Sequence, residues 1–343
     1  MADIDIRIEG RAGRITLTRE RALNALSYRM CLDVSAALAA WRDDPQVALV
    51  VIDAAGERAF CAGGDIQEMY ETGRQGDFGY GQRFWADEYR MNDAIAEYPK
   101  PVVSLMQGYT MGGGVGLGCH ASIRVVCETS RIAMPEVAIG LVPDVGGTGL
   151  LARAPGHLGE YLGATAARMG PDDAIYAGFA DHFVPREFWL DLLAGLVEHG
   201  DAGLAAGMAQ ALPPGPMAAA AAEIDAVFSA PPGAFDAGLA ASGSPFAEGA
   251  RAALAAASPL AVACGTANIR AVRAAGGGIR EALKREYRFT WRASERSDFL
   301  EGIRAKVIDK DNAPRWKHPS LADVTPQEVA AMLDDLGAYE LVL

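Results

Sequence analysis

Positive charge is scarce in this sequence. Thirty-one Lys and Arg stand against 44 Asp and Glu, a formal net charge of −13. Binding to a phosphate backbone depends on clustered cations, so no nucleic-acid partner is expected. An anionic small ligand stays possible, since it needs only a local positive patch or a helix N-terminus. Cysteine is sparse as well. The five present (Cys31, Cys61, Cys119, Cys127, Cys264) are scattered and form no CxxC pair. That excludes a disulfide framework and a zinc site, and reads as reduced thiols in a cytoplasmic protein. Long hydrophobic runs are missing. The longest weakly polar stretch, Ala252 to Ile269, is broken by Pro259 and Gly265 and reads as core helix, so no membrane partner is expected. The N-terminus alternates charged and apolar residues from Asp3 to Glu9, unlike a signal peptide. GxxxxGK[ST], and GxGxxG followed by a ribose-binding acid, are both absent.

What is present is a folded chain. Half of its 343 residues are hydrophobic and 22% are charged, enough for one large domain or two ordinary ones. Ile4, Ile6 and Ile8 alternate with polar residues, and Ile15 and Leu17 follow a Gly10/Gly13 turn, which predicts a β-hairpin. Asn24 to Trp41 carries apolar residues at helical spacing. Val47 to Ile52 is a β-rich run of the kind buried on both faces. It leads into Cys61-Ala62-Gly63-Gly64-Asp65, where paired glycines let the backbone turn sharply and a ligand approach its N–H groups. Asp65 and Glu68 have capping-box spacing and predict a helix start. Cys61 has no His close in sequence and reads as a packing residue.

The same grammar recurs. A second strand, Pro101 to Met106, runs into Gly108 to Gly118, with Gly112-Gly113-Gly114 at a helix start where free N–H groups suit an oxyanion. An amphipathic helix, Phe84 to Ala96, carries Glu88 in between. Strands at Ser122 to Cys127 and Arg131 to Met134 then deliver the chain to Glu136, with Asp144 eight positions on (144 − 136) in an otherwise apolar segment. These two acids admit two readings. Buried, they would have raised pKa values suited to proton transfer; exposed, they would be a surface acid and an ordinary Pro-Asp turn. Repeated strand, glycine turn and helix argue for an α/β fold.

The order Cys61-Ala62-Gly63-Gly64-Asp65, Met111-Gly112-Gly113-Gly114, Met134-Pro135-Glu136 and Pro143-Asp144-Val145-Gly146-Gly147 resembles the crotonase (enoyl-CoA hydratase/isomerase) superfamily. The resemblance implies a spiral of repeated ββα units with a helical C-terminal region. We expect a core over residues 1–195 carrying the acyl-CoA site, and a helical part over 196–343. It also implies an oxyanion hole of two backbone N–H groups, on Gly64 and Gly113, for a thioester oxygen. Two such preorganised donors stabilise developing negative charge, and losing one costs on the order of a hundredfold in rate.

Hydratases of the superfamily use two glutamates. The second falls on Glu136, but the first falls on Gly116, which carries no acid. The Glu136/Asp144 pair with Gly116 is instead similar to the 3-hydroxyisobutyryl-CoA hydrolases, thioesterases of valine breakdown. Glu88 matches a substrate-contacting glutamate there. His120, Ser258-Pro259, Glu286-Tyr287-Arg288, Asp298 to Ala305 and Pro314-Arg315-Trp316 extend the likeness. The resemblance implies Glu136 and Asp144 as the catalytic acids and a short hydroxyacyl-CoA as substrate. It implies no cofactor and no metal, coenzyme A entering only with the substrate, and allows a homo-oligomer. His120 reads as structural. The Ala-, Gly- and Pro-rich stretch from Leu196 to Ala257 predicts short packing helices, and Gly276 to Gly278 a helix–helix turn.

Overall fold

The computed structural model describes residues 3–343. The chain forms two compact units, each assembled from three stretches. The first holds residues 1–65, 90–133 and 169–215, and contains both sheets. Its opening hairpin pairs β1 (Ile4–Glu9) with β2 (Ala12–Leu17), as the alternation predicts. Gly10 sits at φ +55°, and a Cβ there would lie 2.4 Å from the Val197 carbonyl oxygen, so only glycine fits.

Three repeats follow, each giving one strand to each sheet. β3 (Leu49–Ala54) and β4 (Ala59–Cys61) form the first, β5 (Val102–Met106) and β6 (Tyr109–Met111) the second, β7 (Ile123–Val126) and β8 (Arg131–Ala133) the third. β2, β3, β5, β7 and β9 (His182–Phe183) run parallel, completing the six-stranded sheet β1-β2-β3-β5-β7-β9. β4, β6 and β8 make a parallel three-stranded sheet. Every residue of β5 is buried and β3 is buried up to Asp53, which explains their unbroken apolar runs. The core joins Leu49, Val51, Val103, Leu105 and Val125 to Trp189, Leu192 and Leu196 of the helix Trp189–His199.

The second unit, residues 66–89, 134–168 and 216–343, is helical among its described residues. The stretch around Ala252 to Ile269 is not one helix. Two helices, Pro245–Ala256 and Pro259–Ala274, meet at a 113° bend. Ser258 caps the second by accepting the Ala261 N–H, and Pro259, the break expected in this run, stands at its first turn. No single helix among the described residues is long and apolar enough to cross a membrane. Gly276 and Gly277, both at positive φ, turn the chain from Pro259–Ala274 into Ile279–Arg296, as expected. The Glu281–Arg285 ion pair forms at 2.6 Å.

Two local expectations fail. The first helix starts at Tyr28, not Asn24: Leu26 forms a bridge with Gly64, Asn24 is at φ +55°, and Ser27 is the N-cap. The Asp65/Glu68 capping box does not form. The helix Gln67–Arg74 begins after Ile66 without a side-chain cap, and Asp65 pairs with Arg19 at 3.0 Å.

Candidate active site

In the first unit, the two glycine turns lie side by side. β4 and β6 are parallel neighbours, so both turns leave the same end of the small sheet. A Cβ on Gly114 would lie 2.2 Å from the Cys61 carbonyl oxygen, which makes glycine obligatory there and packs one turn against the other. Around Gly64, the Gly63 carbonyl accepts the Leu26 N–H and the Asp65 N–H donates to the Leu26 carbonyl. In a parallel bridge of that kind the central residue's own N–H points away from the ladder. Gly113 is the first residue of the helix Gly113–Gly118, whose first N–H groups have no partner within the helix. Both N–H groups are therefore free of the local backbone ladders. Gly116 is buried in this helix, which holds no carboxylate. Cys61 is fully buried, as its packing role predicts, and His120 is buried just beyond the helix.

The second unit gathers Glu88, Glu136 and Asp144, each 4% exposed, and adds Glu286, fully buried. Exposed surface acids are thus ruled out. Glu136 opens a single turn, Glu136–Ile139, that ends on Gly140 at φ +74°. The C-terminal motifs hold this turn. Ser258 donates its N–H to the Val137 carbonyl, and its hydroxyl to Asp298 at 2.6 Å. Ser297 donates to the Gly140 carbonyl, and Gly302 lies so close that a Cβ would come within 2.3 Å of the Ile139 backbone. Sequence features far from Glu136 are thereby explained as its support.

Burial is the first cause of every pKa shift in this group. It lifts Glu136 well above the usual carboxylate range, and the charge of Asp144 lifts it further. Burial and then Asp144 do the same to Glu88. Asp144 is pushed up to about 7, against the pull of a 2.9 Å hydrogen bond donated by the Tyr89 hydroxyl. Because the charge of Asp144 raises both glutamates, the three acids titrate as a set. Glu88 Oε1 and Glu136 Oε2 are buried and accept no hydrogen bond. A carboxyl with an unpaired buried oxygen and a raised pKa can take or give a proton near neutral pH. No group of three or more His, Cys, Asp or Glu among the described residues is arranged to hold a metal ion.

Tyr89 predicts a measurable effect. Its hydroxyl favours ionised Asp144, so Tyr89→Phe should move the Asp144 titration above about 7 and shift the alkaline limb of the kcat–pH profile upward. An unchanged limb would contradict that role.

Two contributors were missed from sequence, Tyr89 and Glu286. Glu286 accepts the N–H groups of Gly146 (2.7 Å) and Thr148 (2.9 Å) and the Thr148 hydroxyl, from a point 140 residues along the chain. The only signal was its place in the Glu286-Tyr287-Arg288 motif, which named no function for it.

Residues 12–333 match the enoyl-CoA hydratase/isomerase family. Among curated proteins, the chain is 38% identical to a mitochondrial 3-hydroxyisobutyryl-CoA hydrolase of Danio rerio, covering 97% of this chain and 90% of that one. It is 35% identical to the human protein of the same name, over 97% and 89%. Among solved structures, one described as an enoyl-CoA hydratase from Rhodobacter sphaeroides is 56% identical, with full coverage of both chains and a TM-score of 0.97. The expectation of a cytoplasmic protein is corrected here: the curated relatives are mitochondrial by name. Unpaired cysteines report a reducing environment, and more than one compartment provides one. With the two sheets, the repeated units and the family match in agreement, the chain belongs to the enoyl-CoA hydratase/isomerase (crotonase) family.

Proposed function

We propose that the protein hydrolyses the thioester of a short-chain hydroxyacyl-CoA, 3-hydroxyisobutyryl-CoA first among them, giving the free hydroxy acid and coenzyme A. The observation that carries this reading is the buried Glu136/Asp144 pair in a chain whose other hydratase position is Gly116. The names of the curated relatives support it. In this reading the N–H groups of Gly64 and Gly113 hold the thioester oxygen as it gains negative charge. Glu136 acts by one of two routes. It attacks the carbonyl, expelling the thiolate and leaving a mixed anhydride that water cleaves, or it takes a proton from the water that attacks. Asp144 handles the proton passed to the leaving thiolate. A single turnover in oxygen-18 water separates the routes, since only the anhydride route leaves label in the Glu136 carboxyl.

Glu88, with its unpaired buried Oε1, is assigned to the acyl hydroxyl. An analogue without that hydroxyl leaves the oxygen unpaired, so kcat/KM should fall roughly tenfold to a hundredfold. A panel of short acyl-CoAs with and without the β-hydroxyl, read by free-thiol release, tests this. Equal rates across the panel would remove Glu88 from that role. The second reading, water addition to an enoyl-CoA, draws on the description of the 56% identical structure. It lacks the first of the two acids that such chemistry uses.

A further inference from the structure

Asp144 stands on an awkward piece of backbone. Val145 adopts φ +53° and Gly146 φ +77°, two successive left-handed residues, the first of them β-branched. Left-handed backbone suits Gly146 but disfavours Val145, so something must hold the turn. The helix Gly147–Arg153 begins directly after it, capped by no side chain of its own segment.

The partner comes from elsewhere. Glu286, in the helix Ile279–Arg296, accepts the Gly146 N–H on one oxygen and the Thr148 N–H and hydroxyl on the other. It is fully buried. Gly149 and Ala282 let the two helices approach so closely that a Cβ on Gly149 would lie 3.4 Å from that of Ala282, one turn before Glu286. All three groups bonded to Glu286 are donors, an arrangement that suits a carboxylate. Its neighbour Tyr287 packs edge-on against Tyr89, which donates to Asp144. Asp144 is thus held from two directions, by a hydrogen bond on its carboxyl and by a brace on the turn that follows it.

We propose that Glu286 is a positioning residue for the hydrolysis. It caps the helix Gly147–Arg153, fixes the Val145–Gly146 turn, and so fixes the Asp144 carboxyl. This rests on the thioesterase reading above. Nothing in the proposal requires Glu286 to touch substrate. Titratable groups acting on the Asp144 cluster are Glu88 and Tyr89 from the helix Gly79–Ala96, Glu136 from its own turn, and Glu286 itself.

Glu286→Gln tests it, measured per folded protein. The amide keeps the shape but sets an N–H₂ against a backbone donor, and it removes the charge that Glu286, its pKa pushed up to about 8 by burial, takes on as pH rises. Expected are a kcat loss of about tenfold or more with KM within about twofold. The acid limb should move to lower pH, because the Glu286 charge that helps to raise Glu136 is gone. A lowered melting temperature with unchanged kcat and unchanged pH limb would make Glu286 a helix cap only and overturn the proposal. Should Glu286→Gln fail to fold, Thr148→Val, which removes only the hydroxyl donor, must lower kcat about threefold or more at constant KM; wild-type kcat there overturns it too. Titration of the Glu136 carboxyl by carbon-13 NMR reads the reach of Glu286 into the site without turnover. If the wild type releases no thiol, the hydrolase reading fails alone, and the Glu136 titration in Glu286→Gln, shifted down or unmoved, still decides for or against Glu286.

Discussion

Glu136→Gln is expected to lower thiol release by roughly a hundredfold to ten-thousandfold, the range for losing a positioned proton acceptor. The same substitution should stabilise the fold at alkaline pH. Glu136 is 4% exposed and its Oε2 accepts no hydrogen bond, so ionising it in place is unfavourable. Its pKa lies well above the ordinary 4.5. Between those two values the folded chain keeps a proton that the unfolded chain has released. The stability that comes from burying the neutral acid is fully present below pH 4.5 and is lost as pH rises through the raised value. Glutamine is neutral throughout and escapes that loss. The melting temperature of the variant should therefore exceed wild type by a margin that grows from pH 5 to pH 9. A site kept destabilised for its chemistry behaves in this way. Full turnover in the variant, or a melting temperature that falls relative to wild type as pH rises, would contradict the assignment.

Gly114→Ala should be nearly as damaging, for a reason of space alone. The added methyl would meet the Cys61 carbonyl oxygen at 2.2 Å and the Cys61 carbonyl carbon and Cβ at 3.0 Å. Backbone cannot swing aside as a long side chain can, so the two glycine turns must separate. Overpacking of this kind costs about 1–3 kcal/mol of stability. Displacing a preorganised donor by an ångström costs on the order of a hundredfold in rate. Both losses should appear together, in kcat and in the denaturant midpoint, while Gly207→Ala, where a Cβ meets nothing within 4 Å, should change neither. A Gly114→Ala enzyme with normal kcat would mean that the turn does not position an oxyanion donor.

The features legible in the sequence share one property: they are local. Alternation gave β1 and β2, unbroken apolar runs gave β3 and β5, and glycine clusters marked both turns. What was misread involves a distant partner. Leu26 fits a helical pattern, yet it bridges to Gly64, because that pairing satisfies backbone groups on both segments. Asp65 has capping spacing to Glu68, but the guanidinium of Arg19 is the stronger partner. Glu286 lies 140 residues from the turn it braces, and no periodicity could have joined them. Pro259, a break visible in the sequence, is local too, and it marks the start of the helix Pro259–Ala274.

The central claim is that a chain with crotonase glycine turns, but with Gly116 in place of an acid, hydrolyses thioesters. Incubating the purified protein with 3-hydroxyisobutyryl-CoA and, separately, with a short enoyl-CoA tests it directly. One reading follows free thiol, the other the conjugated enoyl absorbance. Stoichiometric thiol release from the hydroxyacyl-CoA is expected, with no comparable loss of enoyl absorbance. Rapid loss of enoyl absorbance without thiol release would contradict it.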